Sequence, residues 1–281
     1  MVGFDMHMHS TVSDGAFAPA ALVGMIKEQG LTGMALTDHD TAAGFAEAAD
    51  KGKELGITVI PGIELSAEYN EKDVHILGYW VDDQIIEHDQ QMIDLRKARF
   101  TRFYDMVARL ERIGIELDGD GIIAQAENCG APGRPLIAAA MVKAGYAAGI
   151  GEAFAKWLVR GAPGYVPKKV LDPLDAVAMI RRAGGIAVLA HPGDGVPDQL
   201  IPRLVEGGLG GIEVFHPDHD ASAVQKYRRL AASFNLPVTG GSDFHNIGVR
   251  RIGGWLTPLS QLELLAAKRE DLQGISDSGR L

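Results

Sequence analysis

Cysteine is almost absent: Cys129 is the only one in 281 residues. One thiol cannot form an internal disulfide, and it cannot build a thiolate-rich metal site. Long apolar runs are missing too. No stretch of 18 uncharged apolar residues occurs, so no membrane span is expected. The opening residues, Met1 to His9, lack a basic segment followed by an apolar core. No secretion leader is therefore expected, and the cytoplasm is the expected compartment. A basic surplus is also lacking, since the formal charge is −10. That argues against an extended nucleic-acid surface, which depends on Lys and Arg neutralising phosphates. A small phosphorylated substrate held by a local cationic cluster remains compatible.

What is present describes an ordinary globular chain, 46% hydrophobic and 23% charged. Its 35 glycines suit many tight strand–helix junctions. Short apolar runs predict strands at about 2–9, 33–37, 57–60, 74–81, 186–190, 211–215 and 236–239. Helices are predicted between most of them, one from Pro19 and one over about 41–55. Parallel pairing with right-handed crossovers follows. From Asp82 to about Gly114 the pattern Ile85, Ile86, Met92, Leu95, Phe103, Met106, Leu110 predicts one long helix. Shorter helical stretches continue to about Val159, broken at Gly130-Ala131-Pro132-Gly133. The expected organisation is an α/β barrel domain built from 1–81 and 166–281, with a helical insertion at 82–165 covering its mouth. The last residues, from about 270, are expected to fray.

Six of the nine histidines fall at or beside predicted strand ends: His7, His9, His39, His75, His191 and His245. Asp14, Asp38, Asp40, Glu64 and Asp243 accompany them. In a parallel barrel, strand C-termini share one face, so residues distant in sequence converge there. His7 and His9 are two apart on a strand and project to one side, as do Asp243 and His245. Asp5 stands one step before the first pair. Singly, each has a bland explanation: Asp14 shapes the Ser13-Asp14-Gly15 turn, His75 is a core histidine, and Glu64 is a buried hydrogen-bond partner. Asp40 fits a helix cap, which leaves His39 for chemistry. Jointly the bland explanations fail. Nine nitrogen and oxygen donors without sulfur suit Mn²⁺, Fe²⁺ or Zn²⁺, and they exceed what one ion needs. Two or three divalent metal ions are expected, an arrangement suited to phosphoester displacement.

These motifs resemble the PHP (polymerase and histidinol phosphatase) family over almost the whole chain. The resemblance rests on Asp5-Met6-His7-Met8-His9-Ser10, Ser13-Asp14-Gly15, Thr37-Asp38-His39-Asp40, Gly62-Ile63-Glu64, His75, Ala190-His191-Pro192-Gly193 and Gly241-Ser242-Asp243-Phe244-His245. It implies a distorted (β/α)7 barrel and a trinuclear centre. In that centre His7, His9, Glu64 and Asp243 would hold one ion, and Asp14, His39 and His245 a second. His75 and His191, with Glu64 bridging, would hold the third. The insertion and Pro163-Gly164-Tyr165-Val166-Pro167 resemble the branch acting on nucleotides, which includes nucleoside 3′,5′-bisphosphate phosphatases and a 5′-to-3′ exoribonuclease. Ala162 stands where that branch often has lysine.

The expected reaction is in-line attack on phosphorus by a hydroxide bridging two ions, because coordination lowers the pKa of water. Arg134 in a Gly-Arg-Pro loop is a candidate phosphate fork. His219 occupies a position similar to a phosphate-contacting histidine of that branch, and is the candidate acid for the leaving oxygen. Arg96 and Arg99 are candidates for a second phosphate, and His216 for capping or packing. Competing readings are an exonuclease on short RNA ends, a histidinol-phosphatase-type enzyme, an amidohydrolase with a bridging lysine, and a non-catalytic regulatory barrel.

Overall fold

The computed structural model describes residues 3–125, 132–193, 195–248 and 250–278. Cys129, Gly130 and Ala131 lie outside the described residues. Seven strands follow one another in the sheet in chain order: β1 (Phe4–Asp5), β2 (Gly33–Leu36), β3 (Thr58–Tyr69), β4 (Lys72–Tyr79), β5 (Ile186–Leu189), β6 (Leu209–Phe215) and β7 (Val238–Gly240). The Met6 N–H donates to the Gly240 carbonyl at 3.2 Å, and the His9 N–H to the Phe244 carbonyl at 3.0 Å. These bonds bring the last strand back to the first, so the seven-stranded sheet is a nearly closed barrel.

Pairing is not uniformly parallel, which corrects the sequence expectation. β1, β2 and β3 are parallel, as are β5, β6 and β7, but β4 runs antiparallel to both neighbours. The cause is local. β3 does not stop at Ile60 but continues to Tyr69, and a two-residue turn reverses the chain into β4. Asn70 and Glu71 both adopt positive φ, 50° and 63°, the conformation that two-residue hairpins require. Reversal matters for position: it brings the first half of β4, with His75, to the face where the other strands end.

α1 (Pro19–Glu28) and α2 (Phe45–Leu55) connect the first three strands. Between β4 and β5 lie α3 (Asp83–His88), α4 (Gln90–Glu111), α5 (Gly119–Gln125), α6 (Arg134–Lys143), α7 (Ile150–Ala153) and α8 (Pro173–Arg182). α9 (Leu200–Glu206) and α10 (Ala221–Ser233) complete the later crossovers, and α11 (Leu259–Ser278) follows β7. The expected single helix from Asp82 is two, because Asp89 caps a fresh start by accepting the Gln91 N–H at 2.9 Å. α11 continues to Ser278, within the segment expected to fray, and residues 279–281 lie outside the described residues. Phe4, Met6, Ala35, Ile60, Leu77, Tyr79, Ile186 and Val188 pack together from five strands and the segment after β1, closed below by Leu262 and Leu265 of α11. A separate apolar cluster joins Phe103, Met106 and Leu110 of α4 to Ile137 and Met141 of α6 and to Leu158.

Candidate metal centre

His7 and His9 follow β1, where the chain leaves regular pairing with β2 yet stays bound to the end of β7. Close approach there depends on Gly241, since a Cβ at that position would lie 2.3 Å from the His7 Cβ. The two rings face each other with Nε2 atoms 3.1 Å apart. His39 lies just beyond β2, bridged to Glu64 of β3. The Asp40 N–H donates to the Glu64 carbonyl at 2.9 Å, and the Glu64 N–H to the Asp38 carbonyl at 3.1 Å. His191 and Asp243 follow β5 and β7, and both hold positive φ, 21° and 49°. Such backbone costs about 1–3 kcal/mol for a non-glycine residue and is typical of functional sites.

Glu64 is the hub. Oε1 lies 2.8 Å from His75 Nδ1 and 3.1 Å from His191 Nε2. Oε2 lies 3.1 Å from His9 Nε2, 3.1 Å from His39 Nδ1 and 3.3 Å from His7 Nε2. Asp243 Oδ1 adds contacts of 3.1 Å to His9 and 3.4 Å to His7. On the other side of His9, Asp14 Oδ1 is 3.2 Å from His245 Nε2, while Asp14 Oδ2 is 3.9 Å from His39 Nε2. Gly15 lets this turn lie on the His9 carbonyl, which a Cβ would approach to 2.2 Å. Thus the nine residues singled out in the sequence converge, in the groups His7–His9–Glu64–Asp243, His9–Asp14–His39–His245 and His39–Glu64–His75; His191 approaches through Glu64.

Donor chemistry fits divalent ions. Nitrogen and oxygen ligands about 2.1 Å from one ion are about 3 Å from each other, the spacing found here. Two imidazole nitrogens at 3.1 Å need something between them to share. His9 Nδ1, His39 Nδ1 and Glu64 Oε2 are buried without a hydrogen-bond partner, an expensive state that a bound cation would relieve. Electrostatics agree. Burial pushes the His9 imidazolium down, but Asp243 and Glu64 overcome it and hold the metal-free ring up at about 10. Burial, with the charges of His9 and His75, drives His39 down to about 3 against Glu64 and Asp14. Burial opposes ionisation of Asp243, yet His7, His216 and His9 keep it well below the usual carboxylate range. Around His9 and Asp243 the cavity favours positive charge.

Other candidates turn elsewhere. Asp5 accepts the Ser242 N–H at 2.8 Å and the Gly253 N–H at 3.2 Å, so it braces the β1–β7 junction and joins no donor group. Asp38 takes the Ser10 and Ser13 hydroxyls at 2.7 and 2.6 Å and shapes the loop carrying Asp14. Asp40 is not a helix cap. It has φ 52°, accepts the Ser66 N–H at 2.8 Å and receives Arg99 Nε at 2.6 Å; Gly44 precedes α2 instead. Arg99 also donates to Ser66 Oγ at 2.7 Å. Arg96 is turned to the Glu87 carboxylate at 2.6 Å. Arg134 donates weakly to the Leu158 carbonyl at 3.4 Å and lies over the Phe154 ring. His219 is buried, with Nδ1 donating to the Val214 carbonyl at 2.8 Å and Nε2 accepting the Gly193 N–H at 3.2 Å. In this geometry Nε2 has no proton to give a leaving group.

Two residues not picked as site residues join the cluster. Glu213 on β6 places both oxygens at 3.1 and 3.2 Å from His7 Nδ1 and accepts the His191 N–H at 2.9 Å. His216 stands beside it, and the four residues His7, His191, Glu213 and His216 form another group of donor atoms. The available signal for Glu213 was its charge within the apolar strand Gly211-Ile212-Glu213-Val214-Phe215, where an ionised side chain requires a partner.

Comparison with known proteins agrees with this geometry. Residues 5–151 match the PHP domain model. A 3′,5′-nucleoside bisphosphate phosphatase of Chromobacterium violaceum is 34% identical, over 88% of this chain and 89% of that one. A phosphoribosyl 1,2-cyclic phosphate 1,2-diphosphodiesterase of Eggerthella lenta is 34% identical over 86% and 93%. A 5′-3′ exoribonuclease of Haemophilus influenzae is 34% identical over 86% and 89%. Among solved structures, a protein of Bifidobacterium adolescentis described as a candidate metal-dependent phosphoesterase superimposes with TM-score 0.88 at 32% identity, covering 95% and 96%. One from C. violaceum, described as an amidohydrolase with bound sulfate and no metal, gives 0.84 at 31%, again covering 95% and 96%. In the present chain the carboxylate that joins two of these groups is Glu64, where an amidohydrolase reading called for a lysine. From the barrel, the donor set and these relatives together, the chain belongs to the PHP family of phosphoester-hydrolysing enzymes.

Proposed function

We propose that this enzyme removes a phosphate from a small nucleotide, a nucleoside 3′,5′-bisphosphate or a similar monophosphate, using two or three divalent ions of Mn, Fe or Zn. The carrying observation is Glu64, one buried carboxylate in contact with five imidazoles through its two oxygens. A carboxylate so placed can serve more than one cation at once. His7, His9, Glu64 and Asp243 would hold one ion; Asp14, His39 and His245 a second; His75, His191 and Glu64 a third. Bound ions supply an activated water near neutral pH and offset charge at phosphorus. The chain's own residues fix the donors and exclude water from their backs: Glu213 orients His7, and Asp38 holds the Asp14 loop.

Substrate binding falls to the helices between β4 and β5, and residues 82–165 are proposed to cover the mouth. Arg134 is near Arg102, whose guanidinium is pushed down to about 10 by burial and by Arg134 and Arg99. Cations crowded in this way favour an anion between them. With Arg96 and Arg99 committed to Glu87 and Asp40, we assign the phosphate contact first to Arg134. His219 would contact substrate only if its bond with the Gly193 N–H opened. The net charge of −10 favours a short ligand over a nucleic-acid track.

A 5′-to-3′ exonuclease acting on short RNA ends is the second reading, supported by the exoribonuclease relative at equal identity. One experiment separates the two: metal analysis of purified protein, then phosphate release from mononucleotides, bisphosphates and short 5′-phosphorylated oligomers. Bisphosphate turnover that vanishes in Asp243→Ala supports the proposal. Turnover of oligomers alone supports the second reading, and unchanged turnover in Asp243→Ala refutes the assigned centre.

A further inference from the structure

Asp243 divides its carboxylate between two neighbourhoods. Oδ1 faces the centre, 3.1 Å from His9 and 3.4 Å from His7. Oδ2 faces away, 3.0 Å from Arg250 Nη1 and 3.3 Å from His216 Nε2. Arg250 then reaches outward, its Nη2 donating to Asp218 at 2.9 Å. His216 Nδ1 accepts the Asp218 N–H at 3.1 Å, which leaves its Nε2 to face Asp243 Oδ2. Arg250 Nη1 also stands 2.9 Å from that nitrogen.

This placement bears on the fourth donor group. His7, His191, Glu213 and His216 have the spacing to hold a cation, but Glu213 is already bonded to His7 and to the His191 N–H. An ion beside His216 would meet a guanidinium at close range. Like charges without intervening water repel strongly. Arg250 already supplies the positive charge there.

We propose that Arg250 is a positioning residue of the metal centre: its guanidinium stands in for a cation at the fourth group and holds Asp243 Oδ2, committing Oδ1 to the ions. Arginine suits the task because its planar fork offers Nη1 to Asp243 and Nη2 to Asp218 in one fixed geometry. Asp243 sits at positive φ beyond the end of β7, beside Phe244, which an isolated bridge ties to Met8, and Arg250 adds a hold on the side chain itself. Arg250 also lines a cavity of about 600 Å³ with Met25, Phe244, Ile252 and Trp255, so a shorter side chain opens into space instead of disrupting the core.

The inference rests on the metal-centre reading, and its test separates the two. Mn²⁺ alone is titrated calorimetrically into metal-free wild type, Arg250→Met and Arg250→Lys, without substrate. Arg250→Met is expected to bind Mn²⁺ about 10- to 100-fold more weakly, the usual consequence of removing a group that orients a ligand. Arg250→Lys is expected to fall between it and wild type. Melting of the metal-free proteins distinguishes a structural role, which would lower the melting temperature and leave Mn²⁺ affinity alone. Mn²⁺ affinity within twofold of wild type in Arg250→Met overturns the inference while leaving the centre standing. Should that variant not fold, unchanged affinity in Arg250→Lys overturns it equally. Wild type that takes up no Mn²⁺ overturns both.

Discussion

Glu213 grips His7 from behind. Both carboxylate oxygens reach its Nδ1, at 3.1 and 3.2 Å, and both residues are fully buried. With the proton fixed on Nδ1, the ring must present the Nε2 lone pair to the centre, which is the tautomer a metal needs. Glu213→Gln keeps the volume but replaces the charged acceptor with a neutral amide. We expect about 10- to 100-fold weaker metal binding with little change in substrate KM. Metal titration and steady-state kinetics on the same preparation check this; a change confined to KM would contradict it.

Arg99 and Asp40 form the second prediction. Asp40 is wholly buried at positive φ, and its charge is met by Arg99 and the Ser66 N–H. Removing one partner of a buried pair leaves an uncompensated charge, which costs about 3–5 kcal/mol. Arg99→Met should therefore lower unfolding stability by about that amount, measured by urea denaturation. Loss of less than about 1 kcal/mol would mean that Asp40 is not ionised or not dry.

These two pairs also mark what the sequence could and could not disclose. Most of the nine donors were legible because they end apolar runs, and apolar runs in a barrel end on one face; Asp14, in a turn, and His75, inside a strand, were picked out by their place in the joint pattern. Glu213 was not singled out: it lies inside its run, with no polar neighbour to draw attention. Asp40 misled for a different reason. An acid just before a helical pattern is the ordinary sign of a cap, and only tertiary contact with Arg99, 59 residues away, reveals another use. The reversal at Asn70-Glu71 was likewise hidden, since neither residue is glycine and a Pro-Gly pair interrupts β3 at residues 61–62. Commitment of both His219 nitrogens is a property of packing that no spacing encodes.

Asp5 gives a pH prediction. Burial raises its carboxyl from 3.8 to about 6, against the pull of N–H groups from Ser242, Gly253 and His7. Between those values the folded protein holds a proton that the unfolded chain has lost. This contribution is therefore fully present below about pH 4 and is lost as pH rises through about 6. Two units correspond to about 3 kcal/mol. Asp5→Asn cannot ionise, so its stability relative to metal-free wild type should climb by up to about 3 kcal/mol between pH 4 and 7. Urea midpoints across that range test it; a constant difference would place the titration elsewhere.

Metal uptake should release protons. In the metal-free protein His9 is held at about 10 by Asp243 and Glu64 against the effect of burial, so at pH 8 the ring is charged. A ligand nitrogen must give up its proton. Affinity should rise with pH by about tenfold per unit for each proton displaced, flattening near pH 10. Titration calorimetry in two buffers of different ionisation enthalpy counts the protons directly. Identical apparent enthalpies at pH 8 would show that none leaves. Chelation should abolish turnover, with recovery on adding back Mn²⁺.

Arg134 separates binding from chemistry. Among the described residues it makes one long hydrogen bond, 3.4 Å to the Leu158 carbonyl, and rests on the Phe154 ring, so little of the described structure depends on its charge. Its nearness also burdens the Arg102 guanidinium, which burial and Arg134 together drive down to about 10. An anionic phosphate between them would relieve both. Arg134→Ala should raise KM for a bisphosphate by about tenfold or more, as expected on losing a charge-assisted bond of about 1.5–3 kcal/mol, while kcat falls far less. The same variant should change the melting temperature of the free protein little. The informative comparison is a substrate series: if Arg134 grips the second phosphate, the penalty on KM is large for a bisphosphate and small for a monophosphate. An equal penalty on both would move Arg134 to the phosphate being cleaved, and no penalty on either would remove it from the site.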